Sequence, residues 1–257
     1  MRILGIDLGS RAVKLAVFED NKLELWKIFD TASFYRDFCE NRHQKISIDI
    51  GKLDIGEVEQ IISTGYGRNN INVSNAEVIT ELKAHTYGAV WQTGLKDFTL
   101  LDIGGQDSKV ISVKKGKMVD MVLNDKCAAS CGRYLENMAT VIGISIDEMK
   151  KYYNEPVELS STCAVFGESE LIGRISEGYT TDRLAAGVNY SLYKRIKPLI
   201  ARFPSDCLVL SGGVAHNEAL IQFIKSDQDF REIIVPDNSQ LNGAIGCCVF
   251  NLIKGIN

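Results

Sequence analysis

The first thirty residues of the chain alternate between apolar runs and turn residues, a pattern that predicts three β-strands. The runs lie at 2–8, 12–19 and 22–29, and glycine, serine, aspartate or asparagine separates them. Strands joined by such short turns pair with their neighbours as hairpins. Because helical patterns follow these strands, we expect a mixed α/β fold.

Helical spacing of apolar residues recurs through the rest of the chain. Thr31 and Asn75 stand where the caps of the first two helices would lie. The segment 45–60 is compatible with either a strand or a turn of helix. The predicted helices cover 31–42, 76–93, 147–153, 180–202 and 241–253, and 133–142 forms the tail of another. A helix start is also plausible near Cys163, and the glycine turn at 212–214 opens a further helix.

The opening pattern returns near the middle of the chain. The sequence IDLGS at 6–10 is echoed by LDIGGQDS at 101–108, and strand-like runs again follow it. An internal repeat of a strand, an acid and a glycine turn predicts two similar lobes. We expect the first lobe to cover 1–95, completed by a C-terminal helix at 241–257, and the second to cover 96–240.

Composition narrows the classes of protein that fit. The 257 residues are 45% apolar and 24% charged, as in ordinary soluble domains. The net charge of −4 gives no electrostatic reason to expect a nucleic acid or an anionic membrane as partner. No apolar run approaches the roughly 20 residues that span a bilayer, and the N-terminus reads as a strand, so we expect a cytoplasmic protein. Seven cysteines, an odd number, favour metal or redox chemistry over disulfides.

Two of these cysteines lie in the stretch 124–136, NDKCAASCGRYLE. It follows a strand-like run and leads into a predicted helix, so we expect Cys127 in the first helical turn and Cys131 one turn later. Free N–H groups at a helix start lower the pKa of a thiol and stabilise the thiolate, which is the form that binds metals. The alternative is that both are small packing residues.

Three predicted strand ends carry glycine turns that suit a nucleotide. They are Asp7–Ser10, Asp102–Asp107 and Ser211–Asn217. Glycine lets backbone N–H groups approach phosphate oxygens closely. Asp7 and Asp102 suit a Mg²⁺ held through water, and Gln106 is placed to orient a water for attack on a terminal phosphate. The P-loop motif GxxxxGK[ST] does not occur, so these turns are not a Walker-type phosphate-binding loop.

The motifs GIDLGSRAVK, STGYGR, LDIGGQDSKVI, NDKCAASCGRYLE, SSTCAVFGESE, SGGVAHN and LNGAIGC follow one another along almost the whole chain. With them the sequence resembles the ATP-dependent activators (reductase components) of 2-hydroxyacyl-CoA dehydratases and benzoyl-CoA reductases, within the actin, sugar-kinase and chaperone ATPase superfamily. The cysteine motif is specific to these activators. The resemblance implies two actin-like (ribonuclease H-like) lobes with mixed sheets and a nucleotide cleft between them.

The resemblance also implies ATP, Mg²⁺ and one [4Fe–4S] cluster per homodimer as cofactors. Cys127 and Cys163 match the cluster ligands, two from each subunit. A cluster needs four thiolates, whereas Cys127, Cys131 and Cys163 give three per chain. Two ligands from each subunit of a symmetric dimer supply the four. ATP hydrolysis would drive an electron, supplied by a donor such as ferredoxin or flavodoxin, to an iron–sulfur dehydratase or reductase. The predicted nucleotide contacts are Gly9, Ser10, Arg11, Lys14, Gly104, Gly105, Gln106, Gly212, Gly213, Asn217 and Asn242.

Two positions depart from the family pattern, since Ser130 replaces a glycine and Cys131 a threonine. The family usually has CAAGTGR where this chain has CAASCGR. Cys131 is a bystander, an alternative ligand or part of a different cluster environment. His216 is a further candidate hydrogen-bond partner of the nucleotide. The other residues with possible chemistry are expected to be structural or exposed: Cys39, Cys207, Cys247, Cys248, His43, His85, Glu168 and Glu170.

Two other functions suit the same glycine turns. A phosphotransferase (a small-molecule kinase) would need a carboxylate base and a substrate pocket, for which we find no motif. A nucleotide-dependent switch of the actin type would have structural cysteines. It predicts colourless protein and ATP-dependent assembly.

Overall fold

Two mixed sheets with the same strand order organise the chain. A computed structural model describes residues 1–42, 45–69, 71–73, 75–124, 128–160 and 163–254. The strands are β1 Arg2–Leu8, β2 Ala12–Glu19, β3 Lys22–Asp30, β4 Cys39–Arg42, β5 Lys45–Ile48, β6 Gln60–Thr64, β7 Ile71–Asn72, β8 Ala76–Val78, β9 Phe98–Ile103, β10 Ser108–Lys114, β11 Lys117–Asn124, β12 Cys207–Ser211 and β13 Glu232–Ile234. The helices are α1 Thr31–Phe38, α2 Glu81–Thr93, α3 Gly132–Ile142, α4 Ile146–Met149, α5 Ala164–Ser176, α6 Thr181–Ile200, α7 Glu218–Asp227 and α8 Asn242–Lys254. The predicted mixed α/β class is confirmed.

The chain divides into two units. Unit 1 contains Met1–Lys96, Val113–Met118 and Pro236–Asn257. Unit 2 contains Asp97–Ser112 and Val119–Val235. Unit 1 is therefore assembled from separate parts of the sequence, including the last helix.

The first sheet, in unit 1, has the strand order β3-β2-β1-β6-β8. β1 pairs antiparallel with β2 and parallel with β6, so Asp7 lies opposite Lys14 on one side and Thr64 on the other. Alternate residues of β1 face opposite sides of the sheet. Ile3 packs into a cluster with α8, whereas Leu4, Ile6 and Leu8 pack into a second core that includes residues of α1. Both faces of β1 are buried, which explains its nearly continuous apolar sequence.

The second sheet has the order β11-β10-β9-β12-β13. β12 lies parallel to both β9 and β13, and Ser211 pairs with Asp102 at the ends of their strands. The turns that follow β9 and β12 therefore lie at the same edge of this sheet. The predicted duplication of the opening pattern corresponds to the repeated strand order.

Helices α2 and α8 of unit 1 pack with their backbones in direct contact. A Cβ on Gly88 would lie 2.0 Å from the Asn242 carbonyl oxygen, and one on Gly246 would lie 1.7 Å from the Ala84 carbonyl oxygen. A Cβ on Gly5 of β1 would likewise lie 2.1 Å from the Ala244 carbonyl oxygen. No other residue fits at such distances, so α8 is held closely against both α2 and β1.

Two helices near the first sheet are present as predicted, but their predicted bounds and caps are wrong. The helix predicted at 31–42 ends at Phe38, and its cap is Asp30, whose carboxylate accepts a hydrogen bond from the Ser33 N–H at 3.0 Å. Asn75 does not cap a helix: its φ is +61°, and the three residues after it form β8. Pairing of β8 with β6 outweighs the local helical pattern.

Other helix boundaries also differ from the prediction. The helix expected to begin at Cys127 begins at Gly132, with a short 3₁₀ turn before it at Ala128–Ser130. The helix after the third glycine turn begins only at Glu218, and the one predicted at 147–153 is the single turn α4. The predictions at 180–202 and 241–253 agree with α6 and α8 to within two residues. Among the described residues, no helix has the length and apolar character needed to cross a membrane.

Candidate functional site

The first glycine turn places a buried carboxylate at the end of β1. Asp7 is only 2% exposed, and its Oδ2 lies 3.1 Å from the Lys14 Nζ on the paired strand. A Cβ on Gly9 would lie 2.6 Å from the Ala12 carbonyl oxygen, so this tight turn requires glycine. Arg11 is exposed and forms an ion pair with Asp30 at 2.7 Å. Ser10 is half-buried at the tip of the turn.

The second glycine turn repeats this arrangement at the end of β9. Asp102 is also 2% exposed; its Oδ1 accepts a hydrogen bond from the Ser211 hydroxyl at 2.7 Å, and its Oδ2 lies 3.5 Å from the Lys109 Nζ. The same lysine lies 2.8 Å from Asp107. A buried carboxylate paired with a lysine seven residues later thus occurs in both sheets. Gln106 is exposed at the tip of the turn, where its amide can reach a ligand.

The third turn follows β12 at the same edge as the second. Gly212 has φ +88°, and a Cβ on it would lie 2.3 Å from the Ile103 carbonyl oxygen. Asn217 is buried and caps α7 through the Leu220 N–H at 2.8 Å, and its amide donates to Asn189 at 2.9 Å. The Asn217 side chain thus shapes the turn from within. Gly213 and His216 are exposed.

The start of α3 is hydrogen-bonded to the second glycine turn. The Gly132 N–H donates to the Gly104 carbonyl at 2.9 Å, and the Arg133 N–H donates to the Gly105 carbonyl at 3.1 Å. A Cβ on Gly132 would lie 3.4 Å from the Val214 Cγ2 of the third turn. The segment that leads from the cysteine motif into α3 therefore contacts both turns of this edge.

Of the two predicted cluster cysteines, the structure describes only Cys163. Cys127 lies outside the described residues. Cys163 is exposed and forms the N-cap of α5, as its position near a predicted helix start suggests. Hydrogen bonds from the Phe166 and Val165 N–H groups lower the pKa of the Cys163 thiol. An exposed thiol whose thiolate form is stabilised by backbone N–H groups suits a ligand of an iron–sulfur cluster.

The remaining described cysteines are less suited to that role. Cys131 is fully buried at the N-cap of α3. Burial raises the pKa of Cys39 and of Cys207 to about 11, that of Cys248 to about 12, and that of Cys247 well above its usual value. Within the described part of the chain, no group of three or more His, Cys, Asp or Glu side chains is arranged to hold a metal. Cys163 alone does not supply the four thiolates that a cluster needs.

Exposed large apolar side chains follow Cys163 along α5. Val165 and Phe166, in the first turn of α5, are 71% and 70% exposed, and Ile172 further along is 53% exposed. Neighbouring apolar side chains with this exposure are typical of a surface that binds another protein.

Asn242, a predicted nucleotide contact, is hydrogen-bonded to His85, a pairing that the sequence did not indicate. The Asn242 side chain is fully buried at the start of α8, where Nδ2 donates to the His85 carbonyl at 2.9 Å and Oδ1 accepts from Gln92 at 2.9 Å. His85, on α2, is 6% exposed and lies beside Asp7, since both approach Gly243. The small residues at 243, 246 and 88 were the available signal, because they permit this close packing.

Comparison with known proteins gives consistent results. The model of the BadF/BadG/BcrA/BcrD ATPase family matches residues 4–251. The (R)-2-hydroxyglutaryl-CoA dehydratase activating ATPase of Acidaminococcus fermentans is 33% identical over 262 residues, covering 96% of this chain and 95% of that protein. The activator of lactoyl-CoA dehydratase of Anaerotignum propionicum is 32% identical, with 97% of each chain covered.

A solved structure is also similar. The activator of the 2-hydroxyisocaproyl-CoA dehydratase from Clostridium difficile, with bound ADPNP, superposes with a TM-score of 0.84 at 29% sequence identity. The match covers all of this chain and 96% of that one.

Proposed function

Because the chain belongs to the BadF/BadG/BcrA/BcrD ATPase family, we propose that it is an ATP-dependent electron-transfer activase. It hydrolyses ATP and delivers a low-potential electron from a [4Fe–4S] cluster to an iron–sulfur dehydratase or reductase. The observation that carries the proposal is Cys163, an exposed thiol with a lowered pKa at the N-terminus of a helix. This is the chemistry that a cluster ligand needs, in a family of ATPases.

The glycine turns supply the nucleotide-binding side of this activity. Backbone N–H groups of the turns at 9–10, 104–105 and 212–213 bind phosphate and nucleoside. Asp7 and Asp102 hold Mg²⁺ through water, a role that suits buried carboxylates at strand ends beside these turns. Bound Mg²⁺ would neutralise charge that develops on the phosphate oxygens. Gln106, exposed at the tip of its turn, orients the attacking water.

The cysteines supply the electron-transfer side. Cys127 and Cys163 of each subunit of a homodimer together provide four thiolates for one cluster. The exposed Val165 and Phe166 next to Cys163 support a protein interface at this end of α5. The start of α5 adds partial positive charge, which stabilises a negatively charged cluster.

The contact between α3 and the second glycine turn supports coupling of the two activities. The Gly104 and Gly105 carbonyls accept hydrogen bonds from α3. The N–H groups in the same two peptide planes are those of Gly105 and Gln106, which would face phosphate. A peptide plane that rotates when phosphate leaves must shift both its N–H and its carbonyl. Hydrolysis would thereby displace the start of α3 and the cysteine motif that precedes it.

The names of the relatives indicate the class of partner. Those relatives are activators of dehydratases acting on 2-hydroxyacyl-CoA esters. We propose a partner of the same chemistry, an iron–sulfur dehydratase or reductase acting on a CoA thioester, with ferredoxin or flavodoxin as the electron donor.

Iron and acid-labile sulfide, measured on protein purified without oxygen, test the proposal. We expect about four of each per dimer, and loss of both in the Cys163→Ser variant. The matched control is Cys39→Ser, a half-buried cysteine with a raised pKa, which should retain the full iron content. Absence of iron from the wild-type protein after reconstitution would refute the electron-transfer function and favour the phosphotransferase or the switch.

A further inference from the structure

His85 lies against the carboxylate to which the proposed function assigns Mg²⁺. A Cβ built on Gly243 would lie 3.0 Å from the Asp7 Oδ2 and 3.2 Å from the His85 Nε2. Two atoms this close to one point are at most about 6 Å apart, a separation that a single bridging water can span. The absence of a side chain at Gly243 leaves that space open.

The orientation of the Asn242 amide determines which ring nitrogen of His85 carries the proton. The atom facing the His85 carbonyl, at 2.9 Å, must be the NH₂ group, because a carbonyl only accepts. The same NH₂ group lies 3.5 Å from the His85 Nδ1, which makes that nitrogen the acceptor. Gln92 completes the assignment by donating to the Asn242 Oδ1 at 2.9 Å.

The proton of neutral His85 is therefore on Nε2, the nitrogen that faces the carboxylates. Besides Asp7, Glu81 lies one turn earlier on α2, with its Oε1 3.9 Å from the His85 Nε2. The Asp7 Oδ2 also accepts a hydrogen bond from the Lys14 Nζ at 3.1 Å. Carboxylates that hold a metal or its water shell are commonly oriented by such outer hydrogen bonds.

We propose that His85 is a positioning residue that orients the Asp7 carboxylate through its Nε2–H, and that Asn242 acts through His85. The role predicted for Asn242, direct contact with the nucleotide, is thereby replaced by an indirect one. The inference rests on the proposed function, since it assumes that Asp7 serves Mg²⁺–nucleotide.

The experiment compares the affinity for ATP in the presence of Mg²⁺ with that in EDTA, by calorimetry, for four proteins. His85→Gln retains an N–H near the position of Nε2, whereas His85→Met fills a similar volume without a donor. Thr86→Val is the matched control, because this neighbouring residue on α2 is 1% exposed and its hydroxyl bonds only within the helix, to the Leu82 carbonyl at 2.7 Å. The wild-type protein is the fourth.

We expect Mg²⁺ to strengthen ATP binding by wild type and by Thr86→Val to the same extent. The enhancement should fall about tenfold in His85→Met and return to within about threefold of wild type in His85→Gln. Affinity in EDTA should be unchanged in all four proteins. The ATPase rate at saturating Mg²⁺ should fall less than the rate at low Mg²⁺, a split that a general loss of folding does not produce.

Three results would overturn the inference. One is a wild-type enhancement in His85→Met, and another is equal impairment of His85→Gln and His85→Met with a matching loss in melting temperature. The third needs a fifth protein, the double variant His85→Met/Asn242→Ala. A much smaller Mg²⁺ enhancement in it than in His85→Met alone would mean that Asn242 acts independently. If wild type itself shows no effect of Mg²⁺ on ATP binding, the proposed function fails first, and the inference with it.

Discussion

When the protein carries no cluster, Cys163 should react with iodoacetamide much faster than Cys39 or Cys207. Thiolates are the reactive form, so the pKa values determine the order. Burial raises the pKa of Cys39 and Cys207 to about 11, whereas backbone N–H groups lower the pKa of Cys163 below its usual 9.0. The pKa of Cys163 therefore lies about two units or more below those of Cys39 and Cys207.

The expected rate ratio follows from that difference. Below pH 9, a gap of two units gives Cys163 a thiolate fraction about 100-fold larger. The lower pKa also makes its thiolate less nucleophilic, which offsets about tenfold of that gain. A net advantage of at least about tenfold remains, and the exposure of Cys163 adds to it. The advantage is greatest near neutral pH and declines above pH 9, because the thiolate fractions of the other two continue to increase until about pH 11.

Short pulses of iodoacetamide on anaerobic, chelator-treated protein, followed by peptide mass spectrometry, measure these rates. The Cys163→Ser variant identifies the contribution of this thiol by its absence. Reconstitution with iron and sulfide should then protect Cys163, since a ligand thiolate cannot be alkylated. Equal rates for Cys39 and Cys163 at neutral pH would refute the reasoning from the helix N-terminus.

Three further predictions concern stability and the cysteine motif. Gly246→Ala should destabilise unit 1 by about 1–3 kcal/mol through overpacking against Ala84. The fluorescence of Trp26 and Trp91, which both lie in that unit, measures this loss. As a contrast, Gly173→Ala on α5, where a Cβ would meet nothing within 4 Å, should stabilise the protein by about 1 kcal/mol, measured by circular dichroism. Lys197 and Tyr193 lower the pKa of Asp227 from 3.8, so Asp227→Asn should lower the melting temperature above that pH, and the difference from wild type should vanish as the pH falls through the folded-state pKa. Cys131→Thr should keep the full iron content and stabilise α3 by up to about 1 kcal/mol through a better N-cap; loss of iron would instead identify Cys131 as a ligand.

The strands that lead into the glycine turns were predictable because their signals are local. Alternation and short turns placed three strands at 2–8, 12–19 and 22–29, and the structure has β1–β3 there, with β3 one residue longer. The helix N-terminus near Cys163 was likewise visible in the sequence and is confirmed by α5. These features depend on residues that are close together in the chain.

Features that depend on distant residues were not predictable. The three residues of β8 read as the start of a helix, and only their pairing with β6 makes them a strand. His85 read as an ordinary structural histidine, because its partner Asn242 is 157 positions away. The pattern within one segment cannot show that α8 packs against α2 and β1. The sequence contains Gly5, Gly88 and Gly246, which permit this packing, but it does not show which segments they bring together.

The packing of α8 against β1 has a consequence for biosynthesis. The Cys248 thiol lies 3.8 Å from the Ile3 carbonyl oxygen, 245 positions away in the chain, so β1 rests on a helix that is translated much later. The continuous stretch 119–235 of unit 2 is complete before α8 has been made. N-terminal parts of a chain usually fold first during synthesis. Here the order is reversed, because the first sheet keeps one apolar face uncovered until α8 has been made. A nascent chain stalled before residue 242 should therefore bind chaperones through the uncovered apolar face of the first sheet.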